Sequence, residues 1–184
     1  MLINVPIQTE RLVLRCWEDS DFNPLYRMHT DPDVMRYLGG PLAWSRERAR
    51  EHHSRIMASW DERDYCDMAV AVRETNSFIG WCSLQPQEDL DGEIKLSWRF
   101  VKESWGKGYA TEAGKALLAV AFRNLGVARV VSRCHPDNIG MVRVFEKLGM
   151  KHVRDLDMPQ YDAPIPLYVL ERTDYERSQD KGDT

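Results

Sequence analysis

The chain has 184 residues, 43% hydrophobic and 29% charged, with a formal net charge of −4. That length fits one domain, residues 1–184, able to bury its own core, and the mild acidity argues against a nucleic-acid-binding surface. No apolar run approaches the roughly 18 residues of a membrane span and no signal peptide is visible, so no membrane partner is expected.

Thr9 to Trp17 alternates, with Leu12, Leu14 and Cys16 against Arg11, Val13 and Arg15, and reads as the first strand. Asp19 or Ser20 can cap a helix that carries Phe22, Leu25, Tyr26 and His29 on one side. Asp31-Pro32 opens a short second helix and Gly39-Gly40 ends it. Ser45 caps a longer helix to about Glu62, with Ala49, His52, His53, Ile56 and Trp60 turned inward or toward a cleft. Adjacent helical histidines point about 100° apart, a poor chelating pair, so His52 and His53 read as packing or surface residues and no metal is expected.

Cys66–Arg73 and Phe78–Gln85 are strands joined by a polar turn, and Gly80 inside the second marks a bulge or a close approach. Glu93–Val101 is the next strand, Ala128–Cys134 another, and Asn138 begins a helix that Gly149 stops. Met150–Leu156 and Leu167–Thr173 finish the sheet, and residues from about 174 to 184 read as a polar tail that frays. Cys16, Cys66, Cys82 and Cys134 fall in predicted strands without a Cys-x-x-Cys pair; buried, reduced thiols and a cytoplasmic location are expected. The order of elements predicts a mixed α/β sheet with an antiparallel start and one βαβ unit.

That unit holds the stretch around which the chain is organised. Ser104-Trp105-Gly106-Lys107-Gly108-Tyr109-Ala110-Thr111-Glu112-Ala113 lies between an alternating strand and a helical pattern of Ala113, Ala116, Leu117, Val120 and Ala121. Glycines at a strand-to-helix turn let the backbone approach a ligand, and the helix N-terminus offers unpaired N–H groups to an anion such as phosphate. The spacing fits neither a Walker loop nor a dinucleotide fingerprint.

The stretch resembles the acetyl-CoA loop of the GNAT superfamily of N-acetyltransferases, Gln/Arg-x-x-Gly-x-Gly/Ala. Trp105 followed by Gly-Lys-Gly-Tyr-Ala-Thr-Glu-Ala is similar to the RimJ/RimL branch in particular. Thr9-Glu10-Arg11-Leu12-Val13-Leu14-Arg15 resembles the opening of such enzymes, and Asn138 through Glu146-Lys147-Leu148-Gly149-Met150 resembles the second signature, roughly 30 residues after the first. The resemblance spans about residues 8 to 173. It implies a twisted mixed sheet of about seven strands flanked by about four helices, splayed between its fourth and fifth strands. It also implies acetyl-CoA as co-substrate and direct transfer of acetyl to a primary amine, on a protein N-terminus or a small molecule, in a ternary complex.

By that resemblance the amides of Gly106, Lys107, Gly108, Tyr109 and Ala110 hold the pyrophosphate, and Trp105 and Thr111 also contact the cofactor. Trp98, Arg99 and Phe100 line the pantetheine arm, and Asn138 and Phe145 contact the cofactor; Asn138 is also a catalytic candidate that could organise a water, and it reads equally as a helix cap. The proton acceptor stays open. Relatives place a Glu where this chain has Lys95, and the tyrosine many use as general acid is replaced by Phe145. Glu93, on the same strand face as Lys95, ranks first, His135 second, and solvent remains an option. Cys134 as an acetyl carrier ranks last, because nothing marks a lowered thiol pKa. Tyr37, Trp44 and Tyr161 are expected to wall the acceptor site through cation–π contact and hydrogen bonds. A non-catalytic acyl-CoA-binding module is the competing reading, and homodimerisation stays open.

Overall fold

The computed structural model describes residues 5–38, 43–59 and 67–180; Gly39-Gly40, Trp60 and Cys66 lie outside them. Its strands are β1 (Ile7–Gln8), β2 (Leu12–Arg15), β3 (Asp67–Val72), β4 (Phe78–Gln87), β5 (Glu93–Phe100), β6 (Arg129–Arg133), β7 (Lys151–Leu156) and β8 (Ile165–Glu171). They form one sheet in the order β1-β2-β3-β4-β5-β6-β8-β7, antiparallel throughout except that β5 and β6 run parallel. The extra strand relative to the sequence expectation is β1, too short to show a period, which pairs Ile7 with Leu14 and Gln8 with Val13.

The helices are α1 (Phe22–Thr30), α2 (Pro32–Met35), α3 (Arg46–Ser59), α4 (Tyr109–Ala119), α5 (Ile139–Lys147) and α6 (Arg172–Asp180). Asp31 caps α2 by accepting from the amides of Asp33 and Val34, and the Ser45 hydroxyl accepts from Arg48 N at the start of α3. α4 continues into a π turn over Val120–Asn124. The sequence reading of the C-terminus as a fraying tail is corrected by α6. Tyr175 on that helix is buried and stacks on Phe122 at 4.6 Å between ring centroids, so one aromatic anchor docks an otherwise polar segment.

The two faces of the sheet are unlike. Leu12, Leu14, Met68, Val70, Cys82, Leu84, Ile94, Leu96 and Phe100 pack with Leu117, Leu118, Phe122 and Phe145 into the main core. The opposite face carries a second cluster, with Trp17, Leu25, Met28, Val34, Ile56 and Ala69. Period-2 alternation puts each strand's side chains on both layers.

The alternation slips at one place. Val70 pairs with Gly80 and Ala71 with Phe78, so Ile79 is the extra residue of a bulge. The slip lets Ile79 and Cys82, three residues apart, share the main core. Gly80 has φ +149°, and a Cβ there would stand 2.1 Å from Arg99 O and 2.8 Å from Phe100 Cα. Both are backbone atoms of β5, so β4 approaches β5 closely just where β5 leaves the sheet. Gly80→Ala is expected to destabilise the fold by about 2–4 kcal/mol, through backbone displacement no side-chain rotation can relieve. Urea denaturation should show a lowered midpoint with an unchanged slope.

Candidate active site at the divergence of two parallel strands

β5 ends at Phe100, and a helical turn over Lys102–Ser104 leads to the glycine loop. Trp105 is exposed, but its indole N–H donates to Phe100 O at 2.9 Å, tying the loop to the strand end. Gly106 has φ +73° and Gly108 φ +81°, the left-handed conformation that a side chain opposes. A Cβ on Gly106 would meet nothing within 4 Å, and one on Gly108 only Arg11 Nη2 at 3.4 Å. Conformation rather than crowding therefore demands glycine, and the space over the loop is open to a ligand. The first bond of α4 runs from Glu112 N to Gly108 O at 3.0 Å, which leaves the amides of the preceding turn without intrahelical acceptors. That arrangement fits a phosphate group.

The loop is braced from the far edge of the sheet. Glu112 accepts from Thr9 Oγ1 at 2.6 Å, Arg11 N at 2.8 Å and Arg11 Nε at 2.7 Å. Arg11 also donates to Lys107 O at 2.9 Å, and its guanidinium lies 4.8 Å from the centre of the Tyr109 ring. One arginine thus holds the carbonyl between the two glycines and the first residue of α4. Burial would raise the Glu112 carboxyl, but the donors from Thr9 and Arg11 outweigh it and hold the pKa below the usual value.

Beyond the loop lies a cleft. β5 and β6 share a ladder only at Ile94–Val130 and Lys95–Val131. Next, Ser132 Oγ rather than a backbone group donates to Leu96 O, at 2.8 Å. From Ser97 onward, the edge of β5 facing β6 has no ladder partner, so its amides are available to an extended amide-bearing arm. Trp98 stands edge-on to Phe145 at 6.0 Å, and its buried Nε1 has no acceptor among the described residues. Phe145 itself is completely buried between Trp98 and Tyr168, so it backs the cleft, a correction to its expected cofactor contact. Asn138 caps α5, its Oδ1 accepting from Met141 N at 3.3 Å. Open glycines, free first-turn amides, an unpaired strand edge and an orphaned indole donor together fit the diphosphate and amide-rich arm of a CoA thioester.

Since β5 and β6 are parallel, their C-terminal ends meet at the open end of this cleft. There His135, directly after Cys134, joins Tyr37 and Tyr161 around a cavity of about 650 Å³ lined also by Arg36, Asp137, Gln160 and Asp162. The Tyr37 ring stacks on His135 at 5.5 Å and that of Tyr161 lies 6.3 Å away. His135 is nearly buried, with Nε2 2.9 Å from Asp162 Oδ1 and Nδ1 3.2 Å from Asp137 N. An amide can only donate, so Nδ1 accepts and Nε2–H donates, leaving Nδ1 as the basic nitrogen. The His135 bond holds the Asp162 carboxyl below the usual carboxylate range. Burial pushes the Cys134 thiol up to about 12, which suits an inert thiol and not an acetyl carrier.

Other expected residues fall elsewhere. Glu93 is ion-paired with Arg129 at the closed end of the β5–β6 pair, away from this cavity. Trp44 is stacked 3.8 Å from His29, which in turn takes Arg99 Nη1 on its Nδ1 at 2.9 Å. His53 bonds Glu18 O at 3.0 Å and packs edge-on against Trp17 and Phe22. The sequence reading missed Asp162 as partner of His135 and Arg11 as brace of the loop. Nothing local marks Asp162, whereas Arg11 lies within the N-terminal run already noted for its resemblance.

A glycine turn with open first-turn amides, beside a sheet split between parallel strands, is the arrangement expected of an acyltransferase that holds an acyl-CoA. Residues 11–151 match the family described as "Acetyltransferase (GNAT) domain", and the chain belongs to that family of acetyltransferases, whose acyl donor is acetyl-CoA. The chain is 29% identical over 174 residues to the uncharacterized protein YkkB of Bacillus subtilis, covering 91% of this chain and 95% of that one. An acetyltransferase from Bacillus anthracis superposes with a TM-score of 0.80 at 24% identity, over 91% of this chain and 98% of the other. A spermidine N-acetyltransferase from Vibrio cholerae, solved with CoA and spermine, does so with a TM-score of 0.76 at 16% identity, covering 91% and 99%. The last two share the fold.

The brace leads to a prediction about pH. Glu112→Ala should lower stability by about 1–3 kcal/mol near neutral pH, since three donors lose their acceptor. Glu112 has a depressed folded pKa, so its contribution is present above the unfolded value of about 4.3 and is lost as pH falls through the folded pKa. The gap in melting temperature between wild type and variant should therefore be widest near pH 7 and close in the acid range, as thermal unfolding across pH will measure.

Proposed function

We propose that the protein transfers acetyl from acetyl-CoA directly to a primary amine in a ternary complex, with His135 as the proton acceptor. The observation that carries the reading is the meeting of the glycine cradle, the split between β5 and β6 and the His135 cavity at one end of the sheet. Amides from Gly106 to Thr111 take the diphosphate, while the free edge from Ser97 to Phe100 takes the pantetheine arm. Asn138, whose side-chain NH2 has no partner among the described residues, adds a donor to that arm.

The amine enters between Tyr37 and Tyr161, whose rings suit an ammonium group. His135 Nδ1 takes the ammonium proton as the amine displaces the long bond from Asp137 N, and Asp162 orients the ring through Nε2. The Asp137 carboxylate, 3.9 Å from Nδ1, stabilises the imidazolium. The N–C bond then forms, the C–S bond breaks, and the second amine proton ends on the departing CoA sulfur. Glu93 is left out because Arg129 already holds its carboxylate. Sheet order and likeness to the RimJ/RimL pattern support an amine acceptor, a protein N-terminus or a small molecule.

Gly108→Val should weaken acetyl-CoA binding at least tenfold in calorimetry, because a branched side chain resists φ +81°. His135→Gln should lower kcat about 10²–10⁴-fold with acetyl-CoA affinity nearly unchanged. A full-rate His135→Gln enzyme would assign proton removal to solvent.

A further inference from the structure

The face of β5 turned away from α4 carries Lys95, Ser97 and Arg99, opposite Gln85, Ser83 and Trp81 of β4. Two cations on a partly buried sheet face are costly unless paired. Among the described residues, neither Lys95 nor Arg99 has a carboxylate within ion-pair distance, whereas neighbouring Arg133 and Arg129 hold Asp89 and Glu93. Burial pushes Lys95 down to about 8 and Arg99 down to about 10. Asp67 and Asp89 are the carboxylates whose charge reaches Lys95, and that of Asp67 also reaches Arg99, though neither lies within ion-pair distance of these cations. Asp67 accepts from Gln85 Nε2 at 3.0 Å, and Asp89 is ion-paired with Arg133.

The surroundings of Arg99 are rich in donors. A guanidinium can only donate, so His29 Nδ1 accepts from it and the His29 proton sits on Nε2. Burial, reinforced by the Arg99 charge, pushes the His29 pKa down to about 2, so His29 stays neutral. His29 Nε2 and Trp81 Nε1 are both buried without an acceptor among the described residues. Both N–H groups are closed to solvent, and the Trp81 ring lies 5.4 Å from the Arg99 guanidinium, a cation–π contact that lowers the cost of its burial without neutralising its charge. Arg99 is the last residue of this face at the C-terminal end of β5, the same end to which the parallel strand β6 carries His135.

We propose that the acceptor amine also carries an acidic group, a carboxylate or a phosphate, held by Arg99 while the amine faces His135, with Lys95, four residues back on the same face, adding positive charge at longer range. This rests on the acetyl-transfer reading of the same site and narrows it to a substrate class. Arginine matches the two-oxygen edge of either group, and an excess of donors over acceptors disfavours a polycation at the same place. An acidic substrate would then supply the ion-pair partner that Arg99 lacks among the described residues.

The test compares kcat/KM for free amino acids with their carboxamides, phosphoethanolamine with ethanolamine, and both sets with spermidine and a neutral tripeptide. Acidic amines should exceed their neutral counterparts by roughly 10- to 100-fold, the range of a charge-assisted hydrogen bond. The amino acid and phosphoethanolamine arms tell carboxylate from phosphate. Arg99→Gln should raise KM for the acidic amine by a similar factor and leave KM for acetyl-CoA within about twofold, and Arg99→Lys should recover part of the preference. Equal or better turnover of carboxamides or spermidine would overturn the proposal, as would an Arg99→Gln defect that falls on acetyl-CoA. Absence of turnover with every amine would count against acetyl transfer itself. The substrate class is then decided by calorimetry of the CoA-bound protein with N-acetyl amino acids, N-acetylphosphoethanolamine and their neutral counterparts. Tighter binding of either acid than of its counterpart, lost in Arg99→Gln, supports it, and no difference overturns it.

Discussion

The parallel pairing of β5 with β6 is held by two residue pairs and then abandoned, and the remaining architecture depends on that divergence. A sheet normally satisfies every backbone group of a central strand on both edges. Here β5 keeps its full ladder with β4 but turns an unpaired edge toward β6 beyond Leu96. The Ser132 hydroxyl ends the ladder by taking the last carbonyl, so the split begins at a defined residue. Close approach at Gly80 holds β5 firmly on its other side, which lets one edge open without loosening the strand.

The glycine loop depends on the same geometry but is stabilised from elsewhere. Two residues with positive φ separated by one cost conformational entropy and have little to pack against. Arg11, just before the second strand of the sheet, supplies what the loop lacks locally by bridging Lys107 O and Glu112. A preorganised cradle of this kind has less ordering left to do when an anion arrives.

The sheet's two faces divide the labour. The face under α4 and α5 is apolar and rigid, and even Phe145 is absorbed into it. On the other face a polar file through Ser83, Gln85, Lys95, Ser97 and Arg99 separates the cluster around Trp17 and Leu25 from one formed by Leu90, Val131, Leu167 and Val169. Polar groups half-buried in this way cost stability unless something pairs them, and here Gln85 reaches Asp67 and Arg99 reaches His29.

Much was legible in the chain itself. Alternation located the long strands, Asp31, Ser45 and Asn138 located helix starts, and Gly106 and Gly108 located the cradle, because these signals depend on neighbours a few residues away. β1 and α6 were not legible: one is two residues long, and the other docks through a single aromatic, Tyr175. The pairing of His135 with Asp162, the bracing of Gly108's loop by Arg11 and the bond from Arg99 to His29 were likewise decided only by the tertiary structure. Each depends on what lies across a gap of many residues. A sequence encodes a residue's own conformational preference directly, but its partners only through the fold.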